Sequence, residues 1–219
     1  MFYYLYEKFL KGNYCIIICD NSTEEECSKE IRDICEKNNV TYIRGLDRRR
    51  PNGYSNSHAT ALNWIWKNVA KKRKNNFGFL DHDIYPVKEI DITDYVKTDP
   101  IYGKYYEAGG IWYLWAGFAF FNWEHVKNMP LNFHRYKILG FIKKRDVDIG
   151  SASWNCLYKK LDITKLKPCS DEFLPMITGS DIEVNYISSR NWLHIFDGGN
   201  RYNTNGSKVE AVLKYIDTL

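Results

Sequence analysis

The spacing of apolar and polar positions differs between the two halves of this chain. Residues 2–10 read as a short amphipathic helix. Residues 14–19 form an apolar run closed by Asp20-Asn21-Ser22, which predicts a buried strand and a turn. Ser22 or Thr23 can then cap a helix whose first turn holds Glu24, Glu25 and Glu26 and whose apolar face holds Ile31, Ile34 and Cys35. Residues 40–44 are a second strand, and a polar, Gly-containing loop covers residues 45–56. From Ser57 onward, Ala59, Leu62, Ile65, Trp66 and Val69 recur at helical spacing until a Lys/Arg run closes the helix. Phe77–Leu80 is a third strand. The order α-β-α-β-α-β predicts an α/β fold with a mixed, mainly parallel central sheet and helices on both faces.

The second half is patterned differently. Residues 91–106 are polar with short apolar pieces, and residues 111–121 are a dense aromatic run broken by Gly117. Residues 124–129 suit a short helix ended by Pro130, and Asp146-Val147-Asp148-Ile149-Gly150 precedes a helix over 151–158. Strands are predicted at 182–187 and 193–196, the latter ahead of Asp197-Gly198-Gly199-Asn200. A terminal helix is predicted over 206–219, with Val209, Val212, Leu213 and Ile216 on one face. There is no internal repeat and no linker composition, so residues 1–219 read as a single domain.

Charge and cysteine usage narrow the setting. The net charge of +4 is concentrated in Arg48-Arg49-Arg50 and Lys71-Lys72-Arg73-Lys74. The excess is small and no nucleic-acid motif accompanies it, so a nucleic-acid partner is not expected. The second cluster suits a helix C-terminus, and the first can attract an anionic ligand. The six cysteines show no CxxC pair and no zinc spacing, and Cys15 and Cys19 read as small buried hydrophobes. A reducing, cytoplasmic setting follows. Residues 1–10 carry Glu7 and Lys8 and do not form a signal peptide, and no run reaches the ~18 apolar residues of a membrane span.

The chemistry concentrates in Phe77-Gly78-Phe79-Leu80-Asp81-His82-Asp83. An apolar strand ends in two carboxylates one residue apart, which extended backbone can turn to one side. Two oxygen donors at a strand end suit Mg²⁺ or Mn²⁺ holding substrate phosphates, and equally a surface turn with two solvated carboxylates. Aromatic residues make up 16% of the chain, enough to supply stacking faces for sugar rings or bases as well as core.

Three segments occur in one order: Asp20-Asn21-Ser22 after a strand, Ser57-His58-Ala59-Thr60-Ala61-Leu62-Asn63 on a helix, and Asp81-His82-Asp83 after a strand. Together they resemble the nucleotide-binding half of a GT-A (Rossmann-like) nucleotide-sugar glycosyltransferase, closest to the large family-2-like group. The resemblance covers about residues 14–88. It is looser over residues 115–121 and 146–154, which resemble the acceptor side. The Asn-, Lys-, Ile- and Tyr-rich composition and compact size are similar to those of glycosyltransferases of large algal DNA viruses. One departure is that family members begin with a strand before the first helix, whereas this chain starts at that helix, or at most with a few strand-like residues in Met1–Tyr6.

The resemblance implies a nucleotide-binding half over about 1–88 and an acceptor-binding half over about 89–219. It implies a UDP-sugar donor, a glycan or glycoprotein acceptor, Mn²⁺ or Mg²⁺, and inversion at the anomeric carbon. Asp83 would ligate the metal, and Asp81 would touch metal, ribose or both. His194 is either a third metal ligand or a satisfied core histidine. Asp148, with Asp146 second, is a candidate base for the acceptor hydroxyl, and equally an N-terminal capping acid. Asp20 contacts base or ribose, or closes an Asx turn. His58 and Asn63, near a helix start, can hold diphosphate or donor sugar, and Asn63 can instead serve local backbone. Asn200 and Arg201 follow two glycines in a segment able to close over the diphosphate, or in a plain turn. Trp112, Trp115 and Trp123 can stack on an acceptor sugar or pack in the core.

Two other classes compete. A haloacid-dehalogenase-like phosphatase also ends a strand in DxD, but places it on the first strand, whereas here two strands precede it and Tyr85-Pro86 follows. A glycan-binding protein without transferase activity shares the same residues.

Overall fold

A computed structural model describes residues 3–44, 54–136, 147–174, 184–195 and 213–218. The chain opens with α1 (Tyr3–Phe9), β1 (Leu10–Lys11), β2 (Ile17–Asp20), α2 (Glu25–Lys37) and β3 (Thr41–Arg44). Then come α3 (Tyr54–Ile65), which continues through a π-helical stretch Trp66–Ala70 and a last turn Lys71–Arg73, and β4 (Phe77–Leu80). The remaining strands are β5 (Ile84–Pro86), β6 (Ile90–Asp91), β7 (Ile101–Ala108), β8 (Ile111–Phe121), β9 (Asp171–Leu174), β10 (Val184–Ile187) and β11 (Trp192–Ile195). Among the described residues no helix is long and apolar enough to cross a membrane.

The mainly parallel, Rossmann-like GT-A sheet with helices on both faces does not form among the described residues. Among the described residues there are four small sheets, and most strand pairs are antiparallel. The α/β alternation of the first half does yield one parallel pair, β2 with β3 across helix α2, and β1 pairs in parallel with β6. The strand that carries the carboxylates behaves differently. β4 pairs antiparallel with β8, and β8 with β7, giving the order β4-β8-β7. The fourth sheet is antiparallel in the order β5-β11-β10-β9.

The physical reason lies in residues 101–121. Ala108 pairs with Ile111, so Gly109-Gly110 is a two-residue hairpin loop, and both glycines have positive φ (61° and 75°). Two such residues in succession match the twist of a tight hairpin. The hairpin offers β4 the long edge of β8, a local partner that does not require a crossover connection. Gly117 does not break the run, which is a single 11-residue strand.

β8 organises the core. All of its residues are buried except Trp115, which is partly exposed. Phe118 and Phe120 join a cluster with Leu5, Ile84, Trp192 and Leu193, while Ala119 and Phe121 join another with Leu62, Trp66, Phe79 and Leu157. A strand covered on both faces reads as an unbroken apolar run, as this one does. Between Gly103 and Tyr105 of β7, the partner on β8 jumps from Ala119 to Leu114. The register with β7 therefore shifts over Trp115 to Phe118 of β8, an irregularity of a kind often found beside functional sites.

Other local expectations shift. Helix α2 begins after Glu24, with no side-chain cap from Ser22 or Thr23. The helix predicted over 151–158 is replaced by single turns at Ser151–Ser153 and Tyr158–Lys160. Here the Ser151 hydroxyl donates to the Asp148 carbonyl and that of Ser153 to the Asn132 carbonyl, so serines compete with the helical ladder. Cys15 is exposed and Cys19 only partly buried, unlike the buried hydrophobes expected, and all six thiols are free.

Candidate functional site

The segment Asp81-His82-Asp83 joins the two antiparallel sheets. Asp81 still belongs to the first, since its N–H donates to the Gly117 carbonyl at 2.9 Å. Asp83 already belongs to the second, since its carbonyl accepts from the Ile195 N–H at 3.0 Å. Two histidines meet these carboxylates. His58 Nε2, from α3, lies 3.3 Å from Asp81 Oδ1, and His194 Nε2, from β11, lies 3.8 Å from Asp83 Oδ1. Both candidate ligand carboxylates and both histidines therefore stand at one place in the fold.

Asp83 is an unusual carboxylate. Its side chain is 15% exposed, and Oδ1 is buried without a hydrogen-bond partner. Burial pushes its carboxyl well above the usual range, Asp81 adds to this, and His82 and His58 oppose it. Burial and the Lys104 ammonium lower His194 to about 4, so the imidazole is neutral at pH 7. A carboxylate oxygen and an imidazole nitrogen thus face each other too far apart for a hydrogen bond.

Residues of β7, β8, β9 and β10 hold this arrangement. Asn185 Oδ1 is 2.9 Å from His194 Nδ1, the Asn185 amide donates to Asp171 Oδ1, and Lys104 Nζ is 2.7 Å from Asp171 Oδ2. Lys104, Asn185 and His194 are all buried. The Trp115 ring lies 5.0 Å from the His194 ring and 5.6 Å from Lys104 Nζ. Gly117 makes room for Asp81, because a Cβ there would sit 2.5 Å from Asp81 Oδ2 and 2.4 Å from the indole of Trp115.

The other candidates take up separate positions. Asp20 ends β2, where its Oδ1 accepts from the Ser22 N–H at 2.8 Å and its Oδ2 from the Tyr42 hydroxyl at 2.7 Å. Burial alone would raise its carboxyl, but the bonds from Ser22 and Tyr42 outweigh it and hold the group at about 2. Asp20 therefore closes an Asx turn. The next residue, Asn21, reaches Ser57 at 3.4 Å and ties that turn to α3 beside His58. Asn63 clamps α3 to the loop before residue 133: its amide donates to the Ala59 carbonyl, and its oxygen accepts from the Phe133 N–H. This is the local-backbone role. Asp148 is half-exposed and lies 3.6 Å from Arg135, its Oδ1 accepts from the Ile149 N–H, and its own N–H donates to the Tyr113 hydroxyl. It is positioned along β8, at Tyr113, and not at the Gly117 position that holds Asp81. Trp112 packs on Tyr158 and Trp123 on Trp66, so Trp115 is the one of the three that stands at the site. Asp146, Asn200 and Arg201 lie outside the described residues.

Among the described residues no group of three or more His, Cys, Asp or Glu side chains closes around a single metal position. The four candidate groups are arranged as two pairs. Sequence reasoning missed Lys104, Asp171 and Asn185. The available signals were a lysine inside the apolar stretch Ile101-Tyr102-Gly103-Lys104-Tyr105 and an asparagine inside Val184-Asn185-Tyr186-Ile187. A polar residue at an inward position of a buried strand needs a partner, and the need for one points to a network. Comparison of the chain with protein-family models, with curated proteins and with solved structures yields no match.

Proposed function

We propose that this chain is a divalent-metal-dependent glycosyltransferase that moves a sugar from a nucleotide-sugar donor, a UDP-sugar, to a hydroxyl of a glycan or glycoprotein. The observation that supports this most is the orphaned Asp83 Oδ1, buried 3.8 Å from the nitrogen of a neutral imidazole. A buried acceptor with no donor is costly unless something fills the gap, and a cation beside Asp83 Oδ1 would satisfy it and could take the imidazole nitrogen as a second donor. That donor set fits Mn²⁺, with Mg²⁺ as the harder alternative. Asp83 and His194 would hold it, with Asp81 alongside. When bound, the ion neutralises charge on the departing diphosphate.

The chain's own groups divide the remaining work. His58, a third exposed and beside Asp81, is placed to donate to a phosphate oxygen. Trp115 offers a ring face at the same place for a sugar. Asp148 remains the candidate base for the acceptor hydroxyl, and a single base favours inversion. Calorimetric titration of UDP with and without Mn²⁺ tests the reading. Metal-dependent binding that is lost in Asp83→Ala supports it. Absence of UDP binding in both conditions refutes it, and glycan binding without UDP would then favour a carbohydrate-binding protein.

A further inference from the structure

The hydrogen-bonded chain Lys104–Asp171–Asn185–His194 has a direction. An ionised carboxylate only accepts hydrogen bonds, and an ammonium only donates. Lys104 Nζ donates to Asp171 Oδ2 at 2.7 Å, so Asp171 is held as the acceptor for its other neighbour. The Asn185 side chain therefore presents its NH₂ to Asp171 Oδ1 and its carbonyl oxygen to His194. Facing an acceptor at 2.9 Å, His194 Nδ1 must carry the proton. The lone pair of the neutral ring is then on Nε2, the atom that faces Asp83 Oδ1.

Backbone register holds the chain in place. Asn185 pairs with His194 across β10 and β11 and with Phe173 across β9, so these side chains share one face of the sheet. Asp171, two residues before Phe173 on β9, is on that face too. Lys104 comes from the other antiparallel sheet, beside the irregularity between Gly103 and Tyr105. Asn185 is 1% exposed and His194 7%, so water does not compete for the bond between them, whereas the Asp171 side chain is 40% exposed and is held by Lys104 and Asn185.

We infer that Lys104, Asp171 and Asn185 are positioning residues that fix His194 as its Nδ1–H tautomer and so set the affinity of the Asp83–His194 gap for a divalent cation. This inference rests on the metal reading above. Groups that orient a ligating imidazole from behind typically change metal affinity about 10- to 100-fold when removed.

The test has two independent readouts on the full chain. Long-range ¹⁵N–¹H correlation spectra of the metal-free protein identify which nitrogen of His194 carries the proton, with His194→Gln used for assignment. Titration of Mn²⁺ alone gives the affinity. In the wild type the spectrum should show the Nδ1–H tautomer. Asn185→Leu should release that tautomer and weaken Mn²⁺ about 10- to 100-fold. The exchange variant Asn185→Asp/Asp171→Asn keeps an acceptor on Nδ1 and one negative charge in the chain, and should restore both readouts. If Asn185→Leu does not fold, Asp171→Asn at the half-exposed position carries the test, because an amide there lets Asn185 flip and should mix the tautomers. An Nε2–H tautomer in the wild type overturns the inference whatever the metal does. So does a variant whose tautomer changes while its Mn²⁺ affinity stays within about twofold. A wild type with the Nδ1–H tautomer that binds no Mn²⁺ overturns the metal reading itself, and the claim about affinity falls with it.

Discussion

Asp83→Asn should stabilise the metal-free protein and remove its response to metal. The Asp83 side chain is 15% exposed and its carboxyl is pushed up to about 6, chiefly by burial. The same group titrates near 3.9 in an unfolded chain. Below about pH 4 both states hold the proton and the group contributes nothing to the pH dependence. As pH rises from about 4 through 6 the unfolded chain ionises first, so stability is lost, and above 6 the full cost of ~3 kcal/mol is present. An amide of the same shape does not ionise, so the variant does not carry this cost. For a chain of this length about 1 kcal/mol corresponds to ~2–4 °C in Tm. Thermal melts in EDTA should therefore show the variant above wild type by about 6–12 °C at pH 8, and by only about 1–2 °C at pH 4. Added Mn²⁺ should raise the wild type alone, because only a state that binds ligand gains from it. A variant less stable than wild type at pH 8 in EDTA, or a gap that does not change with pH, would refute the account of a costly buried carboxylate.

Four further outcomes follow from the same geometry. Gly117→Ala should cost about 1–3 kcal/mol, read from denaturant unfolding, and should weaken UDP–Mn²⁺ binding, because its Cβ meets Asp81 and Trp115 inside contact distance. Gly110→Ala has open space but a φ of +75°, so it should cost about 1 kcal/mol through the hairpin and leave UDP binding unchanged. Asp20 is held at about 2, so its contribution is fully present above about pH 4 and lost as pH falls through 2. Asp20→Ala should accordingly lose about 2 kcal/mol at pH 7, and melting curves of variant and wild type should converge near pH 2. Asp148→Asn should leave UDP–Mn²⁺ binding intact and lower sugar transfer at least ~100-fold, and transfer at the wild-type rate would remove Asp148 as the base.

Much of the site was legible from local pattern. The end of an apolar run at Leu80 located Asp81 and Asp83 at a strand terminus, and the structure ends β4 there. The helical spacing from Ala59 to Val69 placed His58 on α3, and the apolar run before Asp197 placed His194 on a strand. The roles of Asp20 and Asn63 were less legible, because the same residue types serve turns and ligands alike, and only their partners (Ser22 and Tyr42 for one, Ala59 and Phe133 for the other) assign them to structure.

The sequence by itself determined the approximate positions of β2, β3, β4, β10 and β11, the two principal helices, and the carboxylate pair at a strand end, but not β5, β6, β7 or β9. Those features depend on side-chain period and turn chemistry within a few residues, which the local chain carries in full. Tertiary structure alone decided that β4 pairs antiparallel with β8 and not within a parallel sheet. Any exposed strand edge can accept any other, and the choice went to the hairpin edge that Gly109-Gly110 brought near. It also decided that Lys104, Asp171, Asn185 and His194, from four different strands, form one hydrogen-bonded line behind Asp83. Direction and partner in such a line are properties of packing across sheets, and no spacing along one chain encodes them.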